Sequence, residues 1–162
     1  YRLTNDSEKI VEQCFAEHKP LSFEILDIDY FKQYNDRYGH QAGDDCVRAI
    51  AALIRQMESD QIFCARYGGD EFVIIYSGMS AEEVCERAEK LRQDVMALQI
   101  EQRYTEGAFG VTISQGICHD IPSNGNKNWD FLHVADQALY RVKRRGRNRL
   151  CMTDIHGREI EV

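Results

Sequence analysis

Proline is scarce in these 162 residues: there are two, Pro20 and Pro122, and no Pro/Gly-rich tract that would read as a linker. Internal repeats and low-complexity segments are missing too, which argues for one domain of ordinary size with a single core. No run approaches the roughly 18 apolar residues a membrane span requires, and no charged n-region with an apolar h-region opens this stretch of chain. The six cysteines stand far apart with no C-x-x-C pair, which disfavours a zinc site or a disulfide framework and predicts buried free thiols. A reducing cytoplasm is the expected setting, with any membrane anchor lying in segments beyond this stretch. Basic residues are outnumbered, 20 against 27 acidic, for a formal charge of −7. That balance argues against nucleic acid or an anionic membrane as a partner. An anionic ligand must then be met by a local basic cluster or by a cation.

Apolar spacing predicts a helix over Asn5–His18, stopped by Pro20. Leu21–Ile28 reads as a buried strand, Tyr30–Tyr38 as a short helix ending at Gly39, and 44–57 as a longer helix. Two strand-like runs, Gln61–Arg66 and Glu71–Tyr76, flank Tyr67-Gly68-Gly69-Asp70, a hairpin signal of the type I′ kind with positive φ at both glycines. Ser80 and Glu83 form a capping box for a helix to about Leu98. Val111–Cys118 is a strand, and a polar loop runs from His119 to about Asn128. Trp129–Arg145 is a helix ending near Gly146, and Arg149–Met152 is a last strand before a tail that can add a small hairpin. This order predicts an α+β domain: a central, mostly antiparallel sheet of the ferredoxin-like or polymerase-palm type, flanked by helices.

In that topology the C-terminal end of the first strand lies beside the turn of the central hairpin. Asp27-Ile28-Asp29 would meet Asp70-Glu71, and four carboxylates at one point repel each other unless a cation joins them. Magnesium fits, with manganese as a substitute, because it takes oxygen ligands from carboxylates and substrate phosphates. Spacing alone does not choose between Asp27 and Asp29, which share a strand face. Asp29 directly precedes the short helix and is better placed to cap it. Asp27 is therefore the expected ligand, with the Ile28 carbonyl as a further one. A second independent sign is the run from Arg141 to Arg149, where six residues are Lys or Arg in an otherwise acidic chain. Part of that run complements the helix dipole. A pair spaced i,i+4 within it, such as Lys143 and Arg147, could aim both charges at one anionic ligand if the last helical turn persists through Gly146.

At these residues the chain resembles the GGDEF family, the bacterial diguanylate cyclases. The signature stands as Arg66-Tyr67-Gly68-Gly69-Asp70-Glu71-Phe72. Asp27-Ile28-Asp29-Tyr30-Phe31-Lys32, Asn35-Asp36, Gly39-His40 and Gly43-Asp44 match a second block, and Val111–Ser114, Lys143 and Gly146-Arg147-Asn148 match later ones. The likeness runs from about Leu21 to Met152. It implies an enzyme, a nucleotidyltransferase of the cyclase type that condenses two GTP into cyclic di-GMP and releases two pyrophosphates. It further implies a homodimer with one GTP per domain, and an upstream regulatory domain joined through residues 1–20. Carried over by residue, Asp27, the Ile28 carbonyl, Asp70 and Glu71 resemble metal ligands. Asp70 and Glu71 are the catalytic pair, Glu71 also as base for the attacking 3′-hydroxyl. Asn35 and Asp44 resemble guanine readers, with His40 near the same nucleotide. Phe31, Lys32, Lys143 and Arg147 resemble phosphate binders.

Two blocks depart from the family. An inhibitory Arg-x-x-Asp product site would fall on Ser59 and Ile62, so tight product inhibition there is not expected. The N-terminal block, usually Leu-Thr-Gly-Leu and Asn-Arg-Arg, survives only as Leu3-Thr4-Asn5. The alternative to an active cyclase is a catalytically silent module that binds GTP or cyclic di-GMP. Silent modules typically lose part of the signature, and here none is lost. A cyclase accepting ATP as well is disfavoured by Asp44, since a carboxylate accepts from guanine N1–H and the 2-amino group together.

Overall fold

The computed structural model of the protein describes residues 2–102 and 110–162. Its elements are α1 (Arg2–Glu17), β1 (Leu21–Ile28), α2 (Phe31–Tyr38), α3 (His40–Arg55), β2 (Ile62–Arg66), β3 (Glu71–Ser77), α4 (Ala81–Ala97), β4 (Ile113–Asp120), α5 (Asn128–Arg144) and β5 (Leu150–Thr153). The five strands form one sheet in the order β2-β3-β1-β4-β5. β1 pairs antiparallel with β3 and with β4, and β2 with β3, whereas β4 and β5 are parallel. The parallel pair follows from connectivity, because α5 crosses over between the two strands. The α+β architecture anticipated from element order is thus present, with a mixed sheet.

β1 sits in the middle and is buried on both faces, which is why apolar residues occur at odd and even positions alike. Leu21, Phe23 and Ile25 face α1 and α5, packing with Val11, Cys14, Phe131, Ala135 and Leu139. Leu26 and Ile28 face α3 and α4, with Ile50, Ile54, Val84 and Leu91. Gly116 on β4 lets α5 lie close: an added Cβ would meet the Leu139 nitrogen at 2.2 Å and the Ala135 carbonyl at 2.4 Å. That close seating brings the C-terminal end of α5 over the C-terminal end of β1.

Several local expectations need correction. α3 begins at His40, four residues before the expected start, because its polar first turn is solvated and its apolar stripe begins later. β4 is shifted to Ile113–Asp120, since pairing with β1 extends to Asp120 opposite Leu21. The β2–β3 turn is not type I′, for neither Gly68 nor Gly69 is among the residues with positive φ. The hairpin closes instead through Tyr67 and Gly68 N–H groups, both donating to the Glu71 carbonyl at 2.8 and 3.2 Å. The capping box of α4 is present, Glu83 N–H to Ser80 Oγ at 3.2 Å and Ser80 N–H to Glu83 Oε1 at 3.1 Å. The tail folds back through a bridge between Thr153 and Glu159, and all six cysteines are free. Among the described residues no helix is long and apolar enough to cross a membrane.

Candidate functional site

The sheet register does what the separation in sequence hides. Asp27 stands opposite Glu71 in the β1–β3 ladder, and the Ile28 N–H donates to the Asp70 carbonyl at 3.3 Å. The two acidic motifs therefore meet at one edge. Asp27 is 7% exposed, and its Oδ1 is buried with no hydrogen-bond partner among the described residues. Its other oxygen is ion-paired with Lys143, which reaches down from the last turn of α5. Burial pushes the Asp27 carboxyl up to about 6. The Lys143 contact opposes the shift, and the neighbouring Asp29 and Asp70 charges add to it. Desolvation thus outweighs a direct ion pair, as expected where one cation serves a site with several acids. Among the described residues no trio of His, Cys, Asp or Glu is drawn together as a metal cluster. Lys143 provides the positive charge beside Asp27.

Asp29 does not cap α2. The residue at that position is Tyr30, in the left-handed region at φ +57° with no side-chain cap bond, because the chain must turn sharply out of β1. Asp29 is instead 2% exposed and faces β4. It accepts from Thr112 Oγ1 at 2.7 Å and Ser114 Oγ at 2.6 Å, and from the Asn148 N–H at 3.1 Å. Sequence reasoning gave Thr112 and Ser114 no role. Their alternation in sequence, with Thr112 just before β4 and Ser114 in it, was the available signal, since residues two apart in extended backbone face the same way.

The basic run divides cleanly. Arg145 pairs with Glu159, and Arg144 lies over the Tyr140 ring at 5.9 Å. Among the described contacts of the run, those of Lys143 and Arg147 reach the acidic edge, Arg147 with its guanidinium 3.9 Å from Asp29 and 4.6 Å from the centre of the Tyr30 ring. They do so without the helical i,i+4 geometry. α5 ends at Arg144, Gly146 has φ +111°, and Arg147 N–H returns to the Val142 carbonyl at 3.0 Å. That is a Schellman-type stop, which needs a residue free to adopt positive φ.

On the other flank, α2 and α3 hold Asn35 and Asp44. An added Cβ on Gly43 would lie 1.7 Å from Asn35 Oδ1, so the glycine beside Asp44 is required for Asn35 to seat against α3. That Asn35 oxygen is buried and without a partner. Asp44 and His40 are exposed in the first turns of α3. Phe31 stacks on Tyr34 with ring centres 6.4 Å apart, and Lys32 pairs with Asp36 at 3.3 Å on the outer side of α2.

Residues 2–149 match the family described as "Diguanylate cyclase, GGDEF domain". The chain belongs to the GGDEF family. It is 36% identical over 140 residues to a diguanylate cyclase of Vibrio cholerae, covering 83% of this chain and 40% of that protein. It is 35% identical over 133 residues to diguanylate cyclase DosC of Escherichia coli K12, covering 81% and 28% respectively. This GGDEF chain therefore spans well under half the length of these curated relatives. The GGDEF domain of DgcB from Caulobacter crescentus, solved in complex with c-di-GMP, superposes with a TM-score of 0.82 at 32% identity, covering 94% of this chain and 85% of that one. The active GGEEF domain of a Vibrio cholerae diguanylate cyclase gives 0.78 at 32% identity, covering 93% and 94%. The GGEEF spelling has Glu where this GGDEF chain has Asp70, a carboxylate in either case.

Proposed function

We propose that this chain is the catalytic domain of a diguanylate cyclase, joining two GTP molecules into cyclic di-GMP and releasing two pyrophosphates. The observation that carries the reading is the meeting of Asp27 with Asp70 and Glu71 at one sheet edge, next to Lys143 and Arg147. The donor set suits magnesium or manganese: all-oxygen, partly buried, with one orphaned carboxylate oxygen on Asp27. When bound, such an ion polarises phosphoryl oxygens and offsets negative charge developing at phosphorus. Asp27, the Ile28 carbonyl, Asp70 and Glu71 would hold it.

The remaining residues act through position and charge. Lys143, now paired with Asp27 at the acidic edge, would offer its ammonium to the triphosphate. Arg147 offers a guanidinium fork to the same phosphates. The α2 amino end, with no side-chain cap, presents the Phe31 and Lys32 backbone N–H groups to phosphate oxygens. Lys32 adds its charge from outside, and His40 lies near the same nucleotide. Asn35 and Asp44 read guanine, the carboxylate accepting from N1–H and the 2-amino group together. Glu71 takes the proton from the 3′-hydroxyl, whose oxygen bonds to the α-phosphorus of the other GTP as pyrophosphate leaves. Since each domain carries one GTP, a second copy facing the first completes the reaction, and an upstream domain would bring the two together.

The test is concentrated protein with GTP and magnesium, analysed by chromatography for cyclic di-GMP, beside an Asp70→Ala control. Product from wild type and none from the variant is the expected outcome. GTP binding with no product, even in a fusion that enforces dimerisation, would replace this reading with the silent module.

A further inference from the structure

The turn after α5 is held in an unusual backbone. Gly146, Arg147 and Asn148 have φ of +111°, +65° and +48°, three successive residues in the left-handed region, two of them with side chains. Asparagine tolerates this conformation better than arginine does. Such a turn persists only where its surroundings over-determine it. The Arg147 N–H closes the helix end onto Val142 at 3.0 Å, and the Arg147 carbonyl accepts from Arg149 Nε at 2.9 Å. Asn148 is fixed twice: its side-chain oxygen accepts from Arg92 at 3.1 Å, and its N–H donates to Asp29 at 3.1 Å. Asp29 is in turn immobilised by Thr112, by Ser114 and by its own N–H to the Thr112 carbonyl at 2.9 Å.

We infer that Asp29 is a positioning residue for the triphosphate: it pins the 146–148 turn to the sheet and so aims Arg147 across the Tyr30 ring into the phosphate site. The inference rests on the cyclase reading for its ligand, but its structural half does not. Asp29 has every reason to act through the turn and not as a metal ligand. Its two oxygens already take three donors, with the Arg147 guanidinium 3.9 Å away, whereas Asp27 has an oxygen to spare. The same division suits a carboxylate two residues beyond Asp27. A carboxylate accepts from both hydroxyls and the backbone N–H at once, while an amide must turn a donor toward one of them.

Two measurements on one Asp29→Asn sample test this. In nucleotide-free protein, the Arg147 Nε–Hε NMR signal should be displaced by the Tyr30 ring current in wild type and move to the position of free arginines in the variant. Titration with nucleotide should then weaken GTP by about tenfold, the loss of one aimed charged contact, with guanosine affinity unchanged. Arg147→Ala should add little once Asp29 is Asn, because the two act as a unit. If Asp29→Asn does not fold, Thr112→Val decides, since it frees one side of the carboxylate and should loosen the Arg147 signal partway. An unmoved Arg147 signal in a folded variant would overturn the inference. So would a GTP deficit that extra magnesium restores, which would make Asp29 a metal ligand. Failure of wild type to bind GTP counts against the cyclase reading alone, and the Arg147 signal still judges the turn.

Discussion

Glu24 in the middle of β1 and Asp27 at its end are acids buried in the same strand, and the fold treats them in opposite ways. Glu24 points to the α3/α4 side and is fully buried. Its Oε1 accepts from the Tyr76 hydroxyl at 2.6 Å, and its Oε2 has no partner. With no cation in contact among the described residues, burial pushes its carboxyl up to about 8, so its protonated form is favoured at neutral pH. Asp27 points to the α5 side and meets Lys143, which helps keep it near 6 despite burial, so it is ionised at neutral pH. Burial alone therefore does not make a charged site. Asp27 differs from Glu24 in lying slightly less deep and in meeting a cation that arrives from another element, the end of α5.

The strongest way to break this contrast is Asp27→Asn. Losing the ionised oxygen should reduce cyclic di-GMP formation by on the order of 100-fold or more, several kcal/mol of transition-state stabilisation. The thermal midpoint at neutral pH should hold or rise, because the buried ionised carboxylate is gone and Lys143, one-third exposed, reaches water. A variant that loses stability but keeps its activity would reverse the roles assigned to Glu24 and Asp27.

The next effect is a pH slope. Glu24 is raised from an ordinary 4.5 to about 8, so the unfolded chain releases this proton first. Its stabilising contribution is complete below about pH 4.5 and is lost as pH rises through about 8. Asp27, raised from 3.8 to about 6, contributes in the same sense over a lower window. Glu24→Gln should flatten the decline in urea midpoint between pH 6 and pH 8, an effect of a few kcal/mol, with activity at fixed pH unchanged. A decline that persists above pH 6 in the variant would assign it to some other group.

Smaller still is Tyr76→Phe, which removes the one hydrogen bond Glu24 makes. It should cost about 1–3 kcal/mol in denaturant unfolding and leave nucleotide binding intact. A change in GTP affinity would show that the Glu24 region communicates with the site.

Much of the fold was legible because it follows from local rules. The Ser80–Glu83 capping box, the stop of α1 before Pro20 and the bounds of β1 all come from short-range chemistry. The meeting of Asp27 with Glu71 was legible for a different reason: the element order allows few sheet topologies, and the favoured one sets those strand ends side by side. The failures share a cause. The Gly68–Gly69 turn was assigned positive φ from composition, yet its conformation is set by both N–H groups folding onto the Glu71 carbonyl. Asp29 was assigned to a helix cap because the cap lies next to it in sequence, while its true partners lie 83 to 119 residues away.

By itself, then, the sequence determined the elements, the family and the residue types that gather at the acidic edge, since periodicity, capping and motif identity are local properties of the chain. Which acid carries an orphaned oxygen, which is saturated by neutral donors and which of six basic residues reach the edge were decided only by tertiary structure. Hydrogen bonds and desolvation depend on what arrives from elsewhere in the chain, and no spacing along β1 encodes that Thr112, Lys143 and Asn148 will be the ones to arrive.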